Sequence, residues 1–208
     1  MSRRSKPLRA PRFRRFMTAT AGVAAIEFAY LAPLLMIMAF GTFETARAVL
    51  MHRRFQRVTA MVGDLVARET QLGTNQTEAT AELNGIMKSA EHVMKPYSTG
   101  PLKVGIMSIR ASAANANVTT VEWSYSYQGK AVPNCPAPKA MPAAGMLEKG
   151  NAAIMVEAQY IYTPIIANIA TIVPGLQSTM TWNDTIAHAP RNNCIDYAGM
   201  NCSAGCPP

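Results

Sequence analysis

Three hydrophobic patterns follow one another along the chain. From Val23 to Phe43 the residues are almost all apolar, with Glu27 the one charged residue among them. As a helix those 21 residues would be roughly 31 Å long, about the thickness of a bilayer core. From Arg47 to Glu69 the pattern becomes one-sided: Val58, Met61, Val62, Leu65 and Val66 recur at helical spacing, with Arg53, Arg54, Arg57 and Arg68 mostly elsewhere. No proline interrupts between Leu34 and Lys95, and turn chemistry first appears at Leu72-Gly73-Thr74-Asn75. One helix from Val23 to Thr70 is therefore expected, half in a membrane and half packed on a domain. A shorter helix from Thr77 to Met94 should follow, stopped by Lys95-Pro96.

The period then drops to two. Val121, Trp123, Tyr125 and Tyr127 alternate with Glu122, Ser124, Ser126 and Gln128. Ile154, Val156, Ala158, Tyr160 and Tyr162 alternate with Met155, Glu157, Gln159 and Thr163, while Lys103–Ala111 and Thr179–His188 alternate less cleanly. Such strands bury one face and expose the other, as in an antiparallel sheet lying on helices. No basic residues interleave with the aromatic stripe, which favours core packing over nucleic-acid stacking. Ala131–Gly150, with four prolines, reads as a loop between strands. The expected fold is α+β: a long N-terminal membrane-spanning helix continuing into an amphipathic one, packed against a small antiparallel sheet. Four segments follow: a basic leader (1–22), a transmembrane helix (23–45), an amphipathic helical region (46–95) and a β-rich extracytoplasmic domain with a disulfide-stapled tail (96–208).

Composition and charge sharpen this picture. At 208 residues, 49% hydrophobic and 15% charged, the chain is one or two folded units and too apolar for disorder. The net charge of +8 is unevenly spread: residues 1–22 hold seven basic residues and no acid, whereas residues 23–208 hold 13 basic and 12 acidic ones. A basic flank before an apolar span holds the N-terminus in the cytoplasm, although Arg47, Arg53, Arg54 and Arg57 make the far side basic too. A buried core helix would explain the apolar run but not the basic head. A cleaved secretory signal remains a competing reading, because Ala46-Arg47-Ala48 has the small-x-small form of a signal peptidase site.

Gly22 and Glu27 carry the candidate chemistry. A carboxylate inside a membrane helix is expensive, about 2.5–3.5 kcal/mol at its centre. It either snorkels from near the membrane edge or has a partner. If the chain is cut after Gly22, Val23 gains an ammonium, and Glu27 lies four residues on, able to pair with that ammonium or with a neighbour's. Pro33 removes one backbone donor and is expected to kink the helix near Ala29.

The string Gly22-Val-Ala-Ala-Ile-Glu-Phe-Ala-Tyr-Leu-Ala-Pro-Leu-Leu35, continuing to Gly41-Thr-Phe-Glu-Thr-Ala-Arg47, resembles the TadE-like proteins of tight-adherence (Tad/Flp) pilus systems. The resemblance is carried by residues 22–50. It implies a small, single-pass pseudopilin, cut between Gly22 and Val23 by a prepilin peptidase. It also implies packing against other pilin and pseudopilin subunits and inner-membrane assembly proteins, in the bacterial inner membrane with the C-terminal domain periplasmic.

Four cysteines, Cys135, Cys194, Cys202 and Cys206, suit two disulfides in an oxidising compartment. Cys135 is expected to pair with one tail cysteine, and the remaining two with each other. His52, His92 and His188 are too dispersed for a metal-ligand set, and Cys202-x3-Cys206 is a poor zinc match. No nucleophile elbow, P-loop, His-Glu-x-x-His or dinucleotide fingerprint is found. The expectation is a non-enzymatic pilus biogenesis component without cofactor, metal or nucleic-acid ligand, contacting membrane lipid. The alternative is a bitopic or secreted extracytoplasmic binding domain that does not join a pilus.

Overall fold

A computed structural model describes residues 21–165, 178–202 and 206. The basic cluster of the expected leader lies outside the described residues, as does much of the segment between the last two long strands. Ala21–Arg68 forms a single 48-residue helix, α1, with Pro33 inside it. The chain divides into two compact units, one ending at Ala46 and the other beginning at Arg47.

The described part of the first unit is the apolar beginning of α1. The Thr42 and Thr45 hydroxyls donate to the Met38 and Gly41 carbonyls, each at 2.8 Å. These two hydroxyls thus find partners one turn back in their own helix, a bond that an apolar medium favours.

The second unit contains the rest of α1, then β1 (Gln71–Leu72), α2 (Gln76–Met94), β2 (Leu102–Ala111), β3 (Thr119–Tyr127), β4 (Ala152–Tyr162), β5 (Met180–His188) and β6 (Asp196–Tyr197). Four strands form an antiparallel sheet in the order β3-β2-β4-β5, and β1 pairs in parallel with β6. The protein is α+β. Its main core lies between the helices and one sheet face. Met51, Phe55, Val58, Val62 and Val66 from α1, and Ala79, Leu83, Met87, Ala90 and Met94 from α2, meet Val104, Ile106, Trp123, Ile154, Val156 and Tyr160. The α1 stripe is rotated from the expected one: Phe55 and Met51 enter the core, while Met61 and Leu65 are only half-buried.

α2 starts with a defined cap. Asn75 is the N-cap, its side chain accepting from the Glu78 N–H at 3.0 Å. The Glu78 carboxylate in turn accepts from the N–H (2.9 Å) and hydroxyl of Thr74, a variant of the capping box. These bonds lower the Glu78 pKa, the Thr74 hydroxyl contributing most.

The other sheet face is covered as well, unlike the half-exposed face that alternation predicts. Met107, Ile109, Val121 and Met155 form a second small core with Val132 and Met141 of the long loop between β3 and β4. Loop and sheet are stitched by Val121 N–H to Ala137 O (2.9 Å) and Lys139 N–H to Thr119 O (3.1 Å), and Glu157 on β4 pairs with Lys139. Gly105 permits this close layer, since a Cβ there would stand 2.4 Å from Val132 Cγ1.

The sheet also breaks the expected alternation in β3. Ser108 pairs with Trp123 but Ile109 with Val121, so the register skips Glu122. This bulge turns Val121 onto the loop-covered face. Glu122 becomes buried, accepting from Ser108 Oγ at 2.8 Å and pairing with Arg110.

Candidate functional site

Gly22, Val23 and Glu27 occupy the first two turns of α1, all exposed. A Cβ on Gly22 would meet nothing within 4 Å. α1 has no acidic residue in its first turn, so Glu27 is the first carboxylate after its start. One turn of helix, about 6 Å of rise for four residues, separates it from Val23 on the same face. Around them the surface is apolar in every direction: Val23, Ile26, Phe28, Tyr30, Leu31 and Leu34 are each more than half exposed. Among the described residues one helix is long and apolar enough to cross a membrane, and none of its most apolar window is buried. Such a surface suits lipid or the sides of other apolar helices. Pro33 is exposed within this stretch, and the helix continues through it.

The cysteines belong to the second unit. Cys135 is joined to Cys206 and Cys194 to Cys202, with Cα–Cα distances of 5.5 and 5.9 Å. The first bond ties the sheet-covering loop to the tail, and the second encloses β6. Arg110 adds a clasp that the sequence pattern did not reveal. It pairs with Glu122 and donates to the carbonyls of Gly150 (2.7 Å) and Cys202 (3.2 Å). The missed signal was the bulge, because a strict period of two places Glu122 in solvent. Among the described residues no group of three His, Cys, Asp or Glu side chains is arranged to hold a metal ion.

A second missed constellation is aromatic. Trp182 of β5 stacks on Tyr162 of β4 at 4.8 Å and meets His52 of α1 edge-on at 5.0 Å. The Arg47 guanidinium sits 5.7 Å from the Tyr162 ring centroid, and that of Arg54 lies 5.5 Å from the Tyr97 ring. Burial raises the Tyr160 pKa, and nearby Arg47 partly opposes the shift. Tyr160 and Tyr162 are legible as strand residues, but their approach to Arg47 at the start of the unit is a product of the tertiary fold.

No curated protein and no solved structure matches the chain. Over residues 22–63, 42 of the 208, the chain matches the family described as TadE-like protein. That match covers the apolar half of α1 and much of its packed half, and it links this segment to Tad pilus systems.

Proposed function

We propose that the protein is a minor pseudopilin-like, membrane-anchored component of a Tad/Flp pilus assembly system, acting through helix–helix packing rather than catalysis. The observation that carries this reading is the uncovered apolar beginning of α1, with Glu27 one turn from Val23 inside the TadE-like segment. In this reading residues 1–22 are a cytoplasmic leader, residues 23–45 cross the bacterial inner membrane, and the domain from residue 46 onward is periplasmic. An oxidising compartment there accords with both disulfides. Prepilin peptidase cuts after Gly22, whose bare backbone admits close approach. The new Val23 ammonium then pairs with the Glu27 carboxylate of a neighbouring subunit, which sets the axial register of the packed helices. Partners are other pilin and pseudopilin subunits, the inner-membrane assembly proteins and lipid.

Glu27→Gln tests the pairing. Removing one member of a low-dielectric ion pair leaves the other uncompensated, a loss of about 3–5 kcal/mol. The variant should insert, accumulate and be cleaved normally, yet fail to co-purify with partner pilins and support fewer pili in a complemented strain. Normal piliation with normal partner recovery would remove the assembly role of the carboxylate and favour a plain anchor. N-terminal sequencing of the mature membrane form should begin at Val23; a start at Val49 would favour a secreted binding domain.

A further inference from the structure

Pilus assembly through α1 does not account for the end of the second unit at which that unit begins. Just past Arg47, Val49 and Leu50 are 46% and 61% exposed, and Ile165 and Met180 are 61% and 44% exposed. Met180 opposes Tyr162 in the β4–β5 ladder, and Tyr162 lies under the Arg47 guanidinium. The exposed apolar side chains therefore gather at one end of the unit, beside Trp182 and Tyr162. Arg47, Arg53, Arg54 and Arg57 stand along the same stretch, and no acid occurs from Arg47 to Arg57. Between Glu157 and Asp184 the chain carries no charged residue.

Exposed aliphatic side chains, amphipathic rings and arginines form the composition that seats at a membrane–water boundary. Chain connectivity supplies the second argument. Arg47 follows Phe43, the end of the apolar run, by one helical turn, so when α1 crosses a bilayer Arg47 emerges at head-group depth. Arginines there attract anionic lipid head groups, which supply the complementary charge.

The geometry points to a lipid-seated surface: the end of the second unit built from Arg47, Leu50, Tyr162, Ile165, Met180 and Trp182 rests on anionic head groups of the leaflet from which α1 emerges. It holds the domain against the membrane before the helix leaves for any assembly. The inference rests on the reading of α1 as a membrane span, but not on that of the protein as a pilus component.

The chain has two tryptophans, and they report different places. Trp123 is buried and stacks on Tyr197 at 4.8 Å, while Trp182 is in the seated surface. The full-length chain is reconstituted into vesicles of equal parts phosphatidylcholine and phosphatidylglycerol, doped with head-group spin-labelled phosphatidylcholine. Emission from Trp123→Phe, which retains Trp182, should be strongly quenched, and that from Trp182→Phe hardly at all. Where Trp123→Phe fails to fold, the wild-type chain carries the same test. Its quenchable share should vanish in Ile165→Asp/Met180→Asp, which leaves α1 intact and should still float with the vesicles. Omitting phosphatidylglycerol should weaken the quenching; undiminished quenching overturns the role of anionic lipid. A chain that floats with Trp182 unquenched overturns the lipid seat and points to a second copy or another protein covering this patch. A chain that does not float overturns the membrane span itself, and the lipid seat with it.

Discussion

The two halves of α1 share one backbone and differ in what surrounds their side chains. In the first, Ile37 is 71% exposed and Phe40 60%; in the second, Phe55, Val58, Val62 and Val66 are fully buried. From Val23 to Phe43 the helix is apolar all round and interrupted by one charge, Glu27, which suits a medium that is apolar all round. From Met51 onward the helix turns its large apolar residues to one side and places Arg53, Arg57 and Arg68 outside that stripe, which suits a protein core on one side and water on the other. The angular distribution of hydrophobic residues, more than their number, tells the two environments apart.

Matched truncations on the two halves should separate them most widely. Phe55→Ala should destabilise the second unit by about 3–5 kcal/mol, the usual cost of emptying a buried aromatic site. Ile37→Ala should leave that unit's unfolding transition unchanged. Near-UV circular dichroism of the detergent-solubilised chain during denaturation reads both. Equal shifts would mean that the first half contributes to the folded core of the second unit.

The disulfides sharpen the same contrast, since both lie in the second unit. Cys135–Cys206 spans 71 residues and Cys194–Cys202 only 8. If closure of the unfolded chain dominates, the longer loop contributes about 2 kcal/mol more. Cys135→Ser/Cys206→Ser should therefore lower the denaturation midpoint more than Cys194→Ser/Cys202→Ser. It should also expose the loop between β3 and β4 to protease. Equal midpoints would show that native contacts of the tail, such as the Arg110 clasp, outweigh loop length.

Much of this fold was legible in advance, for identifiable reasons. α1 and α2 carry long periodic stripes, and Lys95-Pro96 and Asn75 mark helix limits by local chemistry alone. The inward set on β4, Ile154 through Tyr162 at every second residue, is also the set in the main core. Legibility fails where a non-local layer changes what a face means. Met155 and Val121 alternate as solvent- and core-facing residues should, but the loop spanning residues 131–150 lays a second core on the outer face, and the bulge at Glu122 moves Val121 into it. β1 and β6 are two residues each, too short to leave a period. At the candidate site, Gly22, Val23 and Glu27 stand out because a glycine and a carboxylate interrupt otherwise featureless apolar sequence. The Arg47–Tyr162–Trp182 cluster joins residues more than a hundred positions apart and has no linear signature.

Two glycines offer a comparison at single-atom scale. Gly73 has φ +60°, and a Cβ there would stand 2.2 Å from the Ala79 backbone nitrogen, an atom fixed in the first turns of α2. Gly73→Ala combines left-handed strain with a backbone clash and should cost at least the 1–3 kcal/mol typical of such strain, roughly. At Gly22, where no neighbour lies within 4 Å, alanine should leave stability untouched. Its expected effect is loss of maturation, seen as a heavier band on gels and no Val23 terminus. A cleaved Gly22→Ala protein would remove the close-approach argument, and an unperturbed Gly73→Ala protein would show that the corner between β1 and α2 rearranges freely.

The smallest effect separates the two helix starts. α1 begins without an acid in its first turn, whereas α2 has Asn75 and Glu78 in place. The folded state holds Glu78 as a carboxylate through the Thr74 hydroxyl and N–H, which is why its pKa lies below the ordinary value of 4.5. A group with a depressed folded pKa favours folding at pH above its unfolded pKa, and that contribution is lost as pH falls through the folded value. Because Glu78 is fully solvent-exposed, the effect should be confined to fraying of the first turn of α2. Amide exchange at Glu78 and Ala79 should therefore speed up, relative to the middle of α2, as pH drops below about 4.5. Glu78→Ala should show the faster relative exchange at neutral pH and little further change on acidification. If the variant retained the wild-type acid response, the response would not belong to Glu78, and the cap would not be what couples this helix start to pH.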